Sequence, residues 1–493
     1  MKKKLLMVLS IGVMLNYSCQ KDKLTPISQT QIPTTNNLPF STPVRVQQQV
    51  LGIYQALRNG NMLGSRFQVY GDIKADNWVN LSTNAVTGLQ TWNETVTSTN
   101  QEVIGLWAQA YTVINDCNLF LDGMAAGGTA VVNNSTLSTN YISEAKFIRA
   151  LSYWCLLQYY ARPYYDGNGS KPGVPLRLNG NLSYGNYDLA KSTTDQVYQQ
   201  IIKDLNDAET GLPGTYGNDV SNTTRAHKNT AIALKTRIYL SMQRYADVIT
   251  EANKIVSAAA PFTVPNSTTV PNALQADVTK VFIPPYTTTE SILSMPFNST
   301  ETATTQNQLG YYFYNNASAG NAEYYLNPTG IIANTGWKST DKRRSFIYAS
   351  TVKANVGLFF LSKFPLNPYT DWSPVMRYPE VLLNLAEAIT MNGKIVDTRA
   401  VALLNAVRNR SDATTAYTAA SFATYTNVEN AILLERNIEF LGEGLRFPDL
   451  ARLGLPIPAK LNIPAIAATD TRYIWPISNN ELLYNPLIGG SNN

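Results

Sequence analysis

The sequence predicts a mainly α-helical protein, with a core of tetratricopeptide-like helical hairpins that carries long irregular loops and a few short strands. The first reason is periodicity. After Arg377, apolar residues fall at Tyr378, Val381, Leu382, Leu385, Ala386 and Ile389, the i, i+3, i+4, i+7, i+8, i+11 stripe of one helix face. The second is pairing. Ala400, Leu403, Leu404 and Val407 repeat the stripe after a short turn at Asn392-Gly393-Lys394, and Arg244-Tyr245 turns one helix into the next. Small alanines at the contacts of such pairs suit stacked hairpins. Length is the third: 493 residues suffice for one large core or two closely packed lobes.

The elements follow in order. Lys2, Lys3 and Lys4 precede an almost wholly apolar stretch from Leu5 to Leu15, and Ser18 precedes Cys19. Such a stretch is a secretory signal, too short to span a bilayer as a stable helix. Residues 1–18 are therefore read as a signal peptide, and Cys19 as the residue that receives lipid. Asn16 and Tyr17 depart from a strict lipobox. Residues 19–43, rich in Pro, Thr, Gln and Asn, read as a lipidated tether. Residues 44–493 read as a single domain, with helical blocks at 44–259 and 376–455 around a loop-rich insertion at 260–375. Helices are predicted over 44–58, 101–124, 141–161, 193–211, 228–242, 244–258, 376–392, 397–410 and 427–445. The insertion is rich in Thr, Asn, Pro and Tyr, and its piece Ser291–Phe297 alternates like a strand. Insertions of this kind tend to carry recognition residues.

Composition narrows the function. Removing Lys2–Lys4 with the signal takes three from the 39 Lys+Arg and none from the 34 Asp+Glu, leaving a net charge of about +2. With no long basic run and no binding motif, a nucleic-acid partner is not expected. Cys117 and Cys155 lie in apolar helical segments and read as buried small hydrophobes. The single histidine, His227, excludes multi-His zinc sites and reads as structural. Neither a metal nor a cofactor is expected. There is no G-x-S-x-G, Walker A or H-E-x-x-H, and Gly167 to Gly173 reads as a loop. Tyr (29) outnumbers Phe (15), which suits wet binding surfaces because tyrosine joins a flat apolar face to a polar tip.

One acidic cluster requires weighing. Glu435, Glu439 and Glu443 recur at four-residue spacing, with Arg436, Arg446 and Arg452 nearby. Paired carboxylates can serve glycoside hydrolysis. The arginines favour neutralisation instead, and Gly442 and Gly444 end the helix, so the cluster reads as a structural ion-pair network.

The same region carries a family likeness. Glu435-Arg436-Asn-Ile-Glu439-Phe-Leu-Gly-Glu443-Gly444-Leu-Arg446-Phe-Pro-Asp449-Leu-Ala-Arg452-Leu-Gly454 resembles the ER-x2-E-x3-EG-x-R-x2-DL-x-R-x-G signature of the SusD/RagB family, outer-membrane nutrient-binding lipoproteins of Bacteroidetes. Other blocks agree in the family's order. Glu144 to Trp154 resembles its EAxFLRAxxYF helix, Arg377 to Ala388 its RYAEVLLMxAEA helix, and Leu404 to Arg410 its LNxVRxRA helix. Trp475-Pro476-Ile477, Glu481-Leu482 and Asn485-Pro486 resemble its closing stretch, and Trp107, Tyr111, Ile114, Asn115 and Asn118 its early helix.

This resemblance implies a SusD-like fold, no enzymatic activity, and a lipid-anchored place on the outer face of the outer membrane. It implies capture of oligosaccharides for delivery to a partner SusC-like TonB-dependent transporter. Capture of peptides is the family's alternative, and a surface glycoside hydrolase using acids such as Glu435 and Glu439 is the alternative from another class. Sugar recognition needs flat apolar faces with Asn, Asp or Arg beside them. The early segment and the insertion supply that mixture, and the expected contacts are Trp78, Trp92, Asn93, Tyr314 and Trp337. The resemblance points to these regions, not to the individual positions.

Overall fold

The computed structural model describes residues 35–183, 185–315 and 322–493. The segment expected to be a signal peptide, Cys19, and the expected tether as far as residue 34 lie outside the described residues. The described tether residues form a short 3-10 helix, Thr35–Phe40, whose Phe40 is buried against Phe120 with ring centroids 5.9 Å apart.

Several helices begin where the sequence supplies a cap. Thr42 accepts a hydrogen bond from the Arg45 amide, and Pro43 fills the first turn of α1 (Pro43–Leu57). The short α2 (Arg66–Ile73) is wholly buried. Two long helices follow, α3 (Gln101–Gly123) and α4 (Ser135–Tyr160). The predicted start of α4 at 141 is late, because the Asn134 side chain accepts from the Leu137 amide and opens the helix at Ser135. A Thr193–Gln196 capping box opens α5 (Thr194–Gly211). Next come α6 (Lys228–Ser241) and α7 (Tyr245–Ala252). Helix α7 ends before the predicted 258; Ile255 and Val256 still reach the core, but from the turns that follow. Beyond the insertion are α8 (Tyr378–Gly393), α9 (Thr398–Ser411), α10 (Tyr425–Glu439) and α11 (Arg446–Arg452). The predicted helix 427–445 thus ends early, at Glu439, ahead of Gly442 and Gly444, whose φ of +84° and +81° no helix permits.

The helices stack in chain order. Helix α1 lies on α3 and α4, α3 on α4, α4 on α5, α5 on α6, α6 on α7, α7 on α8, and α8 on both α9 and α10. This is the hairpin arrangement read from the apolar stripes. On α8 the stripe Tyr378, Val381, Leu382, Leu385 and Ala386 is buried, while Ile389 at its end is half-buried. Truncating one such core leucine, Leu382→Ala, costs about 2–5 kcal/mol through lost transfer energy and the cavity left behind. Cys117 on α3 and Cys155 on α4 are buried and free, and burial pushes both thiols well up. Among the described residues no helix is long and apolar enough to cross a membrane.

Short strands pair antiparallel: β1 (Trp78–Asn80) with β5 (Tyr324–Leu326), which ties the insertion to the early segment, β2 (Pro172–Pro175) with β3 (Lys191–Thr193), β4 (Ser291–Met295) with β8 (Ser373–Arg377), which leads into α8, and β6 (Ile347–Ala349) with β7 (Phe359–Leu361) within the insertion. Strand β4 is the one predicted in Ser291–Phe297; it stops before Pro296, which has no amide to donate. Residues 376–377, predicted as helix, belong to β8, because Arg377 is extended and Pro379 sets the first turn of α8.

Buried ion pairs knit the signature segment to the insertion and to the rest of the second helical block. Arg343 reaches Asp341 (2.7 Å), Glu435 (2.5 Å) and Glu439 (2.8 Å). Arg377 reaches Glu439 (2.8 Å), Glu443 (2.7 Å) and Glu290. Arg410 joins Glu290 (2.5 Å) to Glu439 (2.7 Å), Arg408 meets Glu435 (3.0 Å) and Lys363 meets Glu443 (2.8 Å). Five acids face five bases, and every one is nearly inaccessible to solvent. Next to this network the Gly444 amide donates to Asp72 of α2 at 3.1 Å. The C-terminal stretch then returns to the first half of the chain. The Trp475 amide donates to the Tyr159 carbonyl (2.7 Å), and its ring stacks on Tyr159 at 4.6 Å.

Candidate ligand-binding surface

The structure brings Trp78, Trp92 and the adjoining Asn93 and Tyr314 into one neighbourhood and leaves Trp337 elsewhere. Pairing of β1 with β5 holds Trp78 opposite Leu326, and Phe313 from the short helix Leu309–Phe313 stacks on the Trp78 ring at 4.1 Å and 25°. Trp92 of the short helix Leu89–Asn93 donates its indole N–H to the Trp78 carbonyl at 2.8 Å. Tyr314 directly follows Phe313 and is half-buried. Asn93, also half-buried, follows Trp92. Trp337 lies apart, beneath the Arg344 guanidinium, which sits 4.1 Å from its ring centre.

The three tryptophans are 0, 8 and 3% exposed at positions 78, 92 and 337. Their faces are occupied from within, by Phe313 for Trp78 and by Arg344 for Trp337. A pyranose ring needs an open face, so these indoles are not open contacts, and Trp78 and Trp92 lie beneath the surface as a supporting layer. The open aromatic area above comes from tyrosines. Tyr314 leans on Tyr348 with centroids 5.5 Å apart, and Tyr348 on Phe360 at 6.2 Å. The Tyr348 hydroxyl accepts from the Asn315 amide (2.8 Å) and donates to the Asn315 carbonyl (3.1 Å), which fixes the ring against Tyr314. Burial pushes the Tyr348 hydroxyl pKa well up, so it stays a donor. Tyr311 meets Tyr369 edge-on at 6.1 Å, and both are half-buried.

Tyr325 and Tyr324 divide the work of β5 by strand alternation. Tyr324 is buried against Tyr312, whereas Tyr325 is half-buried. Strand β5 also packs on β7, so Phe359, 42% exposed, belongs to the same neighbourhood. Glu323 anchors the early loop here, accepting from Thr87 Oγ1 (2.6 Å) and Ser82 Oγ. Tyr348, Tyr369 and Phe359 carry no sequence motif. The strand-like segments Ile347–Ala349 and Phe359–Leu361 could have marked Tyr348 and Phe359, and nothing marks Tyr369.

The acidic cluster has the opposite character. Glu439 accepts from Arg377, Arg343 and Arg410 at 2.7–2.8 Å. Burial raises its pKa, but the charges of Arg410, Arg377 and Arg343 overcome burial and hold the carboxyl well below its usual range. A general acid requires a raised pKa, and Glu435, its potential partner, is likewise saturated by Arg343 and Arg408. The cluster is the structural network read from the arginines.

Stacked helical hairpins with a tyrosine-rich insertion strapped across them define the class of architecture. The SusD family model matches residues 152–460, and a second model, described as starch-binding and associating with the outer membrane, matches residues 22–240. The chain belongs to the SusD family. Among its relatives in Formosa agariphila, SusD-like protein P38 is 21% identical over 458 residues, covering 85% of each chain. SusD-like protein P25 is 26% identical over 223 residues, and that match spans 43% of this chain and 38% of the relative. A SusD superfamily protein from Bacteroides fragilis superposes with a TM-score of 0.79 at 29% identity, covering 91% of this chain and 99% of the other. Surface glycan-binding protein A from Bacteroides thetaiotaomicron, solved in complex with laminarihexaose, has the same fold, with a TM-score of 0.71 at 18% identity and coverage of 92% and 100%.

Proposed function

We propose that this chain is a glycan-binding lipoprotein, held on the outer face of the outer membrane through Cys19, that captures oligosaccharides and delivers them to a partner SusC-like TonB-dependent transporter. It performs no catalysis itself. One observation carries the reading: the half-buried tyrosines of the insertion, Tyr311, Tyr314, Tyr325 and Tyr348, present partly open rings on a rigid base of buried aromatics. Flat apolar faces with hydroxyls at their rims suit sugar rings, which show C–H groups on their faces and hydroxyls at their edges. Tyr314 and Asn93 of the expected contacts meet the ligand, Trp78 and Trp92 act from beneath, and Trp337, set apart under Arg344, is not part of the surface. Family membership and the laminarihexaose complex of the Bacteroides thetaiotaomicron protein support a carbohydrate as the ligand class.

Calorimetry of the purified protein against a panel of oligosaccharides, laminarihexaose included, and a panel of peptides tests this. Tyr314→Ala and Tyr348→Ala should each weaken glycan binding about ten-fold, or ~1.4 kcal/mol, without changing the thermal midpoint. Unchanged affinity in both variants would sink the site assignment, and binding of peptides alone would sink the glycan reading. The anchor is tested separately. Labelling of cells with radioactive palmitate should be lost in Cys19→Ala, and protease added to intact cells should digest the wild-type protein.

A further inference from the structure

A second cavity lies away from the insertion, between α1 and α3. It has a volume of about 550 Å³, within the range of small-molecule sites, about 300–1,000 Å³. Phe40 and Phe120 close one end, Ile53 and Leu119 form apolar walls, and Leu182, 70% exposed, stands at the mouth. The rim loop is tied down: Asn115 donates to the Asn181 carbonyl and accepts from its amide, and Asp122 accepts from the Gly180 amide at 2.8 Å.

Two features of this cavity have no structural explanation among the described residues. The first is Gly52, in the middle of α1. Glycine in a helix interior destabilises it relative to alanine, and it is kept where a close approach demands it. Nothing demands it here, because a Cβ built on Gly52 would meet no atom within 4 Å. Its missing side chain leaves the cavity open. The contrast is Gly123 on the opposite wall, where a Cβ would fall 2.1 Å from the Phe40 ring. The second feature is Asp116. This half-buried carboxylate makes no hydrogen bond and no ion pair among the described residues, and no Lys or Arg lines the cavity beside it. A carboxylate withdrawn from water without a partner is costly, and such groups are normally paired. Burial pushes its pKa up to about 6, with no opposing cation.

We infer that this cavity binds a small organic ammonium ion, its charged nitrogen against Asp116 and its apolar body between Ile53, Leu119 and Phe120. Asp122, also among the lining residues, is exposed and already accepts from the Gly180 amide, so Asp116 is the group that meets the ammonium. The site is built by elements other than the tyrosine surface and operates independently of it.

Calorimetry of the mature chain with hexylammonium and with hexan-1-ol tests the inference. Hexylammonium should bind at one site, with the alcohol about ten-fold weaker or worse. Asp116→Asn should weaken hexylammonium about ten-fold and leave the alcohol unchanged. Gly52→Leu should abolish both without lowering the thermal midpoint or changing oligosaccharide affinity. Equal binding of amine and alcohol, no binding of either, or full hexylammonium affinity in Asp116→Asn would each overturn the inference. So would binding of a capped Leu-Lys-Leu peptide without binding of hexylammonium, since the occupant would then be a polypeptide.

Discussion

Replacing Glu439 by glutamine tests whether the signature cluster is a structural element. The carboxylate receives Arg377 and Arg410 on one oxygen and Arg343 on the other. Glutamine keeps one acceptor and turns an amide N–H₂ toward a guanidinium. It also unbalances the network, leaving four acids against five buried bases. Breaking a buried pair from one side costs about 3–5 kcal/mol. With an unfolding entropy of about 2.1 cal/mol/K per residue, a cooperative unit of roughly 450 residues should melt ~3–6 °C lower. Scanning calorimetry reads this directly. The pH dependence adds a second check. Because the folded-state pKa of Glu439 is depressed, its contribution is complete above the unfolded value of about 4.3 and is lost as pH falls through the folded value. The deficit of the variant should therefore hold from neutral pH down to about pH 4.5 and shrink below. A melting point within about 1 °C of wild type at pH 7 would refute the structural reading of the cluster.

Gly444→Ala should be as damaging through sterics alone. Its φ is +81°, and a Cβ would lie 2.3 Å from the Gln68 Cα, so a loss on the order of 3 kcal/mol is expected by denaturant titration. His227 is buried, and burial lowers its pKa from 6.5 to about 4. The unfolded chain therefore takes up a proton first, and stability falls as pH drops from 6.5 to 4, by on the order of 3 kcal/mol. Urea titrations across that range should show His227→Leu losing this share of the acid sensitivity. Purified protein should release no reducing sugar from any oligosaccharide of the panel; hydrolysis abolished by Glu435→Gln would make the protein an enzyme.

The helical core was legible because burial is periodic. Each stripe, such as Tyr378 to Ala386, states both the element and its inward face, and caps and glycines set the ends. Where those signals were local but unread, boundaries slipped, as at Asn134 before α4. The network was legible in kind, because three glutamates beside arginines require neutralisation. Its partners Arg343, Lys363 and Glu290 were not, because they arrive from the insertion through tertiary packing. The binding surface was least legible. A tryptophan offers the same ring to a sugar as to a phenylalanine, and only the pairing of β1 with β5 decides that Trp78 receives Phe313. Tyr348 reaches Tyr314 across more than thirty residues of sequence, a juxtaposition without any spacing rule.

The return of the C-terminal stretch bears on how the molecule is made. Trp475 lies against Tyr70, Tyr159 and Tyr160, and the Asn479 amide donates to the Ser98 carbonyl. The earliest helices thus remain unfinished until nearly the whole polypeptide has been delivered. Contacts separated by several hundred residues form late, because a long loop must close before they stabilise anything. A chain emerging N-terminus first would stay pliable throughout passage and lock only at the end. Truncation before residue 475 should accordingly yield a protease-sensitive intermediate with its helices formed and its aromatic seam open, rather than a smaller native protein.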